Sequence, residues 1–270
     1  MTAQRPDWAP QDVNTDVASV ARVYDYFLGG AHNFAVDRAL ADEIARTTPD
    51  VGQTMRANRE FLRRAVRYLA EAGIRQFLDI GSGIPTVGNV HEIAQGIAPE
   101  SRIVYVDIDP VAVAHSQAIL AGNDRATALE GDVRDVAGLL AEPKLRRLLD
   151  LTQPVAVLLA GILHFVPDSD EPPAIVGRLA EAVPAGSYVV LSNATYDGQP
   201  PEILEAQKIY GRMAADIVLR SRAQLLDQFR GFTLIEPGLV HLPLWHPDSL
   251  ADVGEHPERC AAVGGIGRKD

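Results

Sequence analysis

The sequence predicts an α/β fold: a doubly wound, mostly parallel sheet with helices on both faces. Three observations carry this. From residue 76 onward, short apolar runs alternate with helix-length segments, the pattern of strands joined by right-handed crossovers. The stretch Phe77-Leu78-Asp79-Ile80-Gly81-Ser82-Gly83-Ile84-Pro85-Thr86 passes from an apolar run through an acid and two spaced glycines. That is the form of a buried strand, a tight turn and a helix start. A second continuous apolar run, Val155–Ala160, reads as another buried strand.

Taken in order, residues 1–14 carry Pro6 and Pro10 among polar residues and predict a loose arm. Residues 15–270 then form one domain, with helices over 15–73 and a sheet-bearing core over 74–270. Ser19–Leu28 has Val20, Val23, Tyr24, Phe27 and Leu28 at helical spacing and stops at Gly29-Gly30. Asn33–Arg46 and Gln53–Glu71 read as two further helices. The five arginines Arg56, Arg59, Arg63, Arg64 and Arg67 of the latter read mostly as a solvated face. Strands are expected at Gln76–Ile80, Ile103–Asp107, Ala126–Leu129, Val155–Ala160 and Tyr188–Leu191. Helices are expected at Thr86–Gly96, Val111–Leu120, Val136–Asp150 and Pro172–Val183, with Pro85 suited to a first helical position. A helical insertion over about 200–220, a helix Ser221–Arg230 and strands near Phe232–Glu236 and Cys260–Gly267 complete the chain.

Composition narrows the function classes. A chain of 270 residues, 47% hydrophobic and 23% charged, is of the size and make-up of one large globular domain. The net charge of −11 argues against nucleic acid as the main partner. A single cysteine, Cys260, permits no intramolecular disulfide and suits a reducing, cytoplasmic setting. No apolar run approaches the roughly 20 residues of a membrane helix, and the first ten residues lack the pattern of a secretory signal.

In open parallel sheets, ligands bind beyond the carboxyl ends of strands where strand order reverses. Four loops there carry unusual residues. The turn Asp79–Gly83 brings backbone close to a ligand. Thr86 stands where a dinucleotide fingerprint wants a third small residue, so a ligand without phosphate suits this turn better. Asp107, about two dozen residues on, is the right group to accept hydrogen bonds from vicinal ribose hydroxyls; Asp109 before Pro110 reads as a helix cap. Asp132 and Val133 could meet an adenine amino group and ring nitrogen, or form a plain turn. His164, just beyond the fourth strand, could orient a substrate, accept a proton, or be satisfied structurally.

The motifs LDIGSGIPT, YVDIDP, GDVRD and ILHFVPD together resemble a class I S-adenosylmethionine-dependent methyltransferase. ARVYDYFLGGAHNFAVDR, ANREFLRRAVRYL, GNVHEIAQ, VVLSNAT and GIGRK resemble one bacterial family of S-adenosyl methyltransferases, many without known substrates. The resemblance spans Ala21 to Lys269. It implies a seven-stranded, Rossmann-like sheet with an antiparallel last strand under an N-terminal helical lid. It also implies S-adenosyl-L-methionine as cofactor. By position, Asp79, Gly81 and Gly83 would hold its methionine part, Asp107 its ribose hydroxyls, Asp132 and Val133 its adenine, Gly161 would lie along it, and Ile108 would be a further cofactor contact. Pro85 departs from the general methyltransferase pattern, which has a third glycine there.

Within this resemblance Tyr24 and His164 are the candidate catalytic residues, and Arg59 would neutralise the methionine carboxylate. Tyr24 could instead be a core aromatic, and Gly29-Gly30 either a hinge or a plain helix stop. His32, Asn33, Tyr196 and Tyr210 are candidate substrate contacts, with the insertion roofing the pocket. Transfer from a sulfonium needs alignment and water exclusion rather than a metal. His91, His241, His246 and His256 have no metal-ligand spacing, and Ser82 and Ser192 lack a nucleophile-elbow context. The expected activity is methyl transfer to a small molecule. The alternatives are a silent cofactor-binding or regulatory protein, and a nicotinamide oxidoreductase, against which Thr86 speaks.

Overall fold

The computed structural model describes residues 13–85, 88–201, 203–210 and 216–270. The arm over 1–12 lies outside them, but Val13 is buried and the Asn14 carbonyl accepts from Arg22, so the chain is anchored from there on.

Helices α1 (Val20–Phe27), α2 (Ala35–Thr47) and α3 (Val51–Glu71) precede the sheet. The core runs β1 (Gln76–Ile80), α4 (Val90–Ile97), β2 (Arg102–Asp107), α5 (Pro110–Ile119), β3 (Ala126–Glu130), α6 (Val136–Ala141) and α7 (Pro143–Leu148). It continues through β4 (Ala156–Ala160), α8 (Pro172–Ala182), β5 (Tyr188–Ala194), α9 (Ile203–Tyr210), α10 (Arg222–Asp227), β6 (Thr233–Leu234), β7 (Val240–His241) and β8 (Ala262–Arg268). The sheet order is β3-β2-β1-β4-β5-β8-β6, with β7 also on β8. The first five strands pair parallel and β8 is antiparallel to β5. The two-residue β7 makes eight strands where seven were expected.

Side chains alternate between faces along each strand. Leu78, Val104, Val157 and Leu191 enter one apolar cluster with Leu139, Leu145 and Ile175 of α6–α8. Phe77, Ile103, Leu158 and Val190 enter the other with Phe61, Leu69 and Trp245. Both faces are thus covered, as a parallel sheet requires. Among the described residues no helix is long and apolar enough to cross a membrane.

Several boundaries differ from expectation for local reasons. α4 begins at Val90, not near Thr86: Asn89 and Glu92 form a capping box there, with Glu92 Oε2 accepting from the Asn89 N–H at 2.8 Å. Pro85 therefore sits in a loop and not at a helix start. The segment 136–150 breaks at Glu142-Pro143, because proline cannot continue the helix before it. The insertion does not run helical to residue 220. The Val218 N–H donates to the His164 carbonyl at 2.6 Å, and Arg220 bridges Thr195. Nor are the α3 arginines all solvated: Arg64 is buried and donates to the carbonyls of Trp245 (2.9 Å) and Leu242 (2.8 Å).

The helical lid is locked to the core by buried charge. Asp37 is wholly buried and accepts from the backbone N–H groups of Ser19 (3.0 Å) and Phe34 (2.7 Å) and from Arg22 Nε (2.9 Å). Arg22 Nη1 lies 3.6 Å from Asp109, and the Ser19 hydroxyl donates to the same carboxylate. At the end of α1, Gly29 (φ +81°) and Gly30 return N–H bonds to Tyr26 (3.0 Å) and Asp25 (2.8 Å). This is a Schellman stop. A Cβ on Gly30 would come 2.0 Å from the Asp25 carboxylate, so the corner is tied to its own helix. Removing Asp37 strands a buried arginine and two backbone donors. Asp37→Ala should cost about 3–5 kcal/mol, read as a lowered Tm by calorimetry.

Candidate active site

One cavity of about 770 Å³ opens beyond the carboxyl ends of β1, β2, β4 and β5, across the point between β1 and β4 where strand order reverses. α1 and the start of α3 close one side, and residues 216–219 another. Its volume lies in the upper part of the range for small-molecule sites.

Two buried acids face each other across its floor. Asp79 ends β1 and Asp107 ends β2. Burial, only partly offset by the Arg59 charge, pushes the Asp79 carboxyl up to about 7. Burial also raises Asp107 to about 6, against backbone N–H groups that stabilise its ionised form. Asp107 accepts from Gly83 N at 2.7 Å and Asp109 N at 2.8 Å. The Ile108 N–H also stabilises its ionised form, and lone-pair capacity is left for a further donor. Because the Gly83 N–H points at Asp107 and α4 is capped by its own residues, this turn is not a phosphate cradle. Gly81 has φ +73°, and a Cβ there would fall 2.2 Å from Ile162 Cγ2. Only glycine lets the loops after β1 and β4 close together.

Arg59 reaches the same floor from α3, and its Nε is buried without a hydrogen-bond partner. Such a group is costly unless a ligand satisfies it. Further along, Ile108, Asp132, Val133 and Gly161 all line the cavity. Ile108 is 60% exposed, an apolar platform at the rim. Asp132 is gripped by Arg134, whose Nε lies 2.9 Å from both carboxylate oxygens; this lowers its pKa. The sequence offered no sign of that clamp.

On the opposite side, His164 and Tyr24 line the cavity but neither is a free base. His164 Nδ1 accepts from the Ala194 N–H at 3.3 Å, which leaves the proton on Nε2. Burial, aided by the Arg220 charge, pushes the imidazole down to about 3. It stays neutral, and the Asn193 side chain is a second hydrogen-bonding neighbour of the ring. The Tyr24 hydroxyl donates to the Met55 carbonyl at 3.0 Å and accepts from Asn58 Nδ2 at 3.1 Å. Its pKa is raised, chiefly by burial. Asn58 also accepts from the Ser192 hydroxyl at 2.5 Å and so ties α1, α3 and β5 together. It lies within the ANREFLRRAVRYL motif, where helical periodicity alone did not single it out.

Three of the expected substrate contacts do not reach this cavity. Asn33 is buried in the α1–α2 corner, its Nδ2 donating to Asp25 (2.9 Å) and to the Gly30 carbonyl (3.0 Å). His32 packs against His115, ring centres 3.9 Å apart and planes tilted by 48°, outside the cavity. Tyr196 is 39% exposed beyond the end of β5, outside the cavity wall. The side chain of Tyr210 lies outside the described residues.

The family model for S-adenosyl methyltransferases matches residues 6–270. Among solved structures, the chain is similar to a DUF574 family protein from Streptomyces avermitilis: 44% identity over 95% of this chain and 99% of that one, TM-score 0.91. It is also similar to a protein of Thermobifida fusca provisionally named a methyltransferase: 38% identity over 98% and 100% of the two chains, TM-score 0.92. An O-methyltransferase family protein from Burkholderia thailandensis, 14% identical over 84% of this chain and 62% of its own, shares the fold with TM-score 0.53. No curated protein matches. The chain belongs to the S-adenosyl methyltransferase family and is an S-adenosylmethionine-dependent enzyme of the class I methyltransferase fold.

Proposed function

We propose that the protein transfers the methyl group to a small-molecule acceptor bound beside the cofactor in this one cavity. The observation that carries the reading is that Asp79 and Asp107 line the same cavity as Arg59, whose charge acts on Asp79. An acid and a guanidinium together match the ammonium and carboxylate of an amino-acid group, and Asp107 keeps acceptor capacity for a ribose hydroxyl. The unpartnered Arg59 Nε and the raised carboxyls are what a site awaiting such a ligand would display. In this reading Gly81, Gly83 and Gly161 let backbone lie along the cofactor. Ile108 and Val133 flank the adenine, with Asp132, steadied by Arg134, at its amino edge.

Bound S-adenosylmethionine supplies an electrophilic methyl on sulfur. The chain's part is to hold the acceptor in line with it and to exclude water. His164 would offer its Nε2–H to orient the acceptor, and Tyr24 with Asn58 would hold the roof over it. Neither withdraws a proton, so the acceptor would react through its own lone pair.

Arg59→Met should weaken S-adenosylhomocysteine binding about ten- to a hundredfold, the scale of one charge-assisted hydrogen bond. It should leave methylthioadenosine, which lacks the amino-acid group, bound as before; calorimetry with both ligands checks this. A carboxyl whose pKa rises on folding holds its proton more tightly folded than unfolded. Its contribution to stability is full below the ordinary carboxylate range and is lost as pH rises through about 7 for Asp79. Asp79→Asn should therefore raise the Tm of the ligand-free protein at pH near 8, relative to wild type, more than at pH near 5. The nitrogen resonances of His164 should report the Nε2–H tautomer and no titration between roughly pH 5 and 8.

A further inference from the structure

We infer that the half of the cavity beyond the ends of β4 and β5 takes an uncharged, apolar small molecule and turns away carboxylates and phosphates. This rests on the reading above, in which the cofactor occupies the β1 and β2 side. Val20, Val51, Met55, Phe165, Ile217 and Leu219 all line this half. The same six belong to the apolar cluster of the lid, Val51 and Ile217 as buried members and the others packed against them. One apolar cluster thus both builds the lid and lines the chamber.

The charged inventory points the same way. Among the described residues of the wall the cations are Arg22, Arg59 and Arg134. Arg22 is paired with Asp37 and Arg134 with Asp132. Arg59 acts on Asp79, and Arg220, near His164, is paired with Asp168. Asp216 stands exposed at the rim and would repel an anion. His164 is neutral, and Tyr24 and Asn58 are bonded to each other. An anionic acceptor would lose its hydration and meet only cations already matched by carboxylates, a large penalty. An apolar one gains roughly 25 cal/mol for each Å² it buries.

The test uses two probes with one ring system. Calorimetry first establishes that S-adenosylhomocysteine binds the full chain. The loaded protein is then titrated at neutral pH with α-naphthol, which is uncharged, and with α-naphthoate, followed by naphthalene fluorescence. Naphthol should bind at least about tenfold more tightly than naphthoate. Met55→Lys, which sets an ammonium in the wall, should close most of that gap, and Leu219→Lys serves if that variant does not fold. Equal or reversed affinities, no naphthol binding at millimolar concentration, or a preference that neither lysine variant shifts would each overturn the inference. Failure of S-adenosylhomocysteine to bind would instead overturn the cofactor reading beneath it.

Discussion

Two carboxyl groups held out of water at neighbouring strand ends set the terms for everything around them. Asp79 and Asp107 are nearly fully buried, and each is held well above its ordinary pKa by that burial. A parallel sheet places them there because β1 and β2 pair in register through Asp79 opposite Tyr105 and end side by side. Ionising both without a counter-charge is unfavourable, and Arg59 offsets only part of the cost. A ligand carrying positive charge and hydroxyl groups resolves this imbalance, and S-adenosylmethionine carries both.

The lid is tied to the same strand ends. Asp109 caps α5 by accepting from Val111 N at 2.8 Å, takes the Ser19 hydroxyl, and donates its own N–H to Asp107. Arg22 and Asp37 complete the set from α1 and α2. The roof of the cavity and Asp107 therefore share one hydrogen-bonded network. Buried ion pairs of this kind contribute little net stability against an apolar replacement, but losing one member is costly. They hold geometry rather than add strength.

The far half of the cavity is notable for what its polar groups are already doing. The Tyr24 hydroxyl is held by Met55 and Asn58, and His164 takes the Ala194 N–H. The wall also carries neutral polar groups, the Thr48 hydroxyl and the Asn193 amide, so the surface left for an acceptor is uncharged and mostly apolar. In the function proposed, the protein's contribution to the transfer is alignment and water exclusion.

Much of this was legible in the chain itself. Runs such as Phe77–Ile80 and Val155–Ala160 declare buried strands, because a strand covered on both faces has no polar side to show. The acids at 79 and 107 follow from strand ends and spacing, which are local quantities. What the sequence left open was decided by contacts between residues far apart in it. Asn33 and Asn58 look alike as polar residues among helices, yet Asn33 closes a corner on Asp25 whereas Asn58 bridges Tyr24 and Ser192 at the cavity. His164 could be base, donor or filler until Ala194, thirty positions away, fixed its tautomer. Periodicity reports which face of an element is buried; only the packed fold decides which partner each buried polar atom finds, and that pairing is what makes a residue structural or functional.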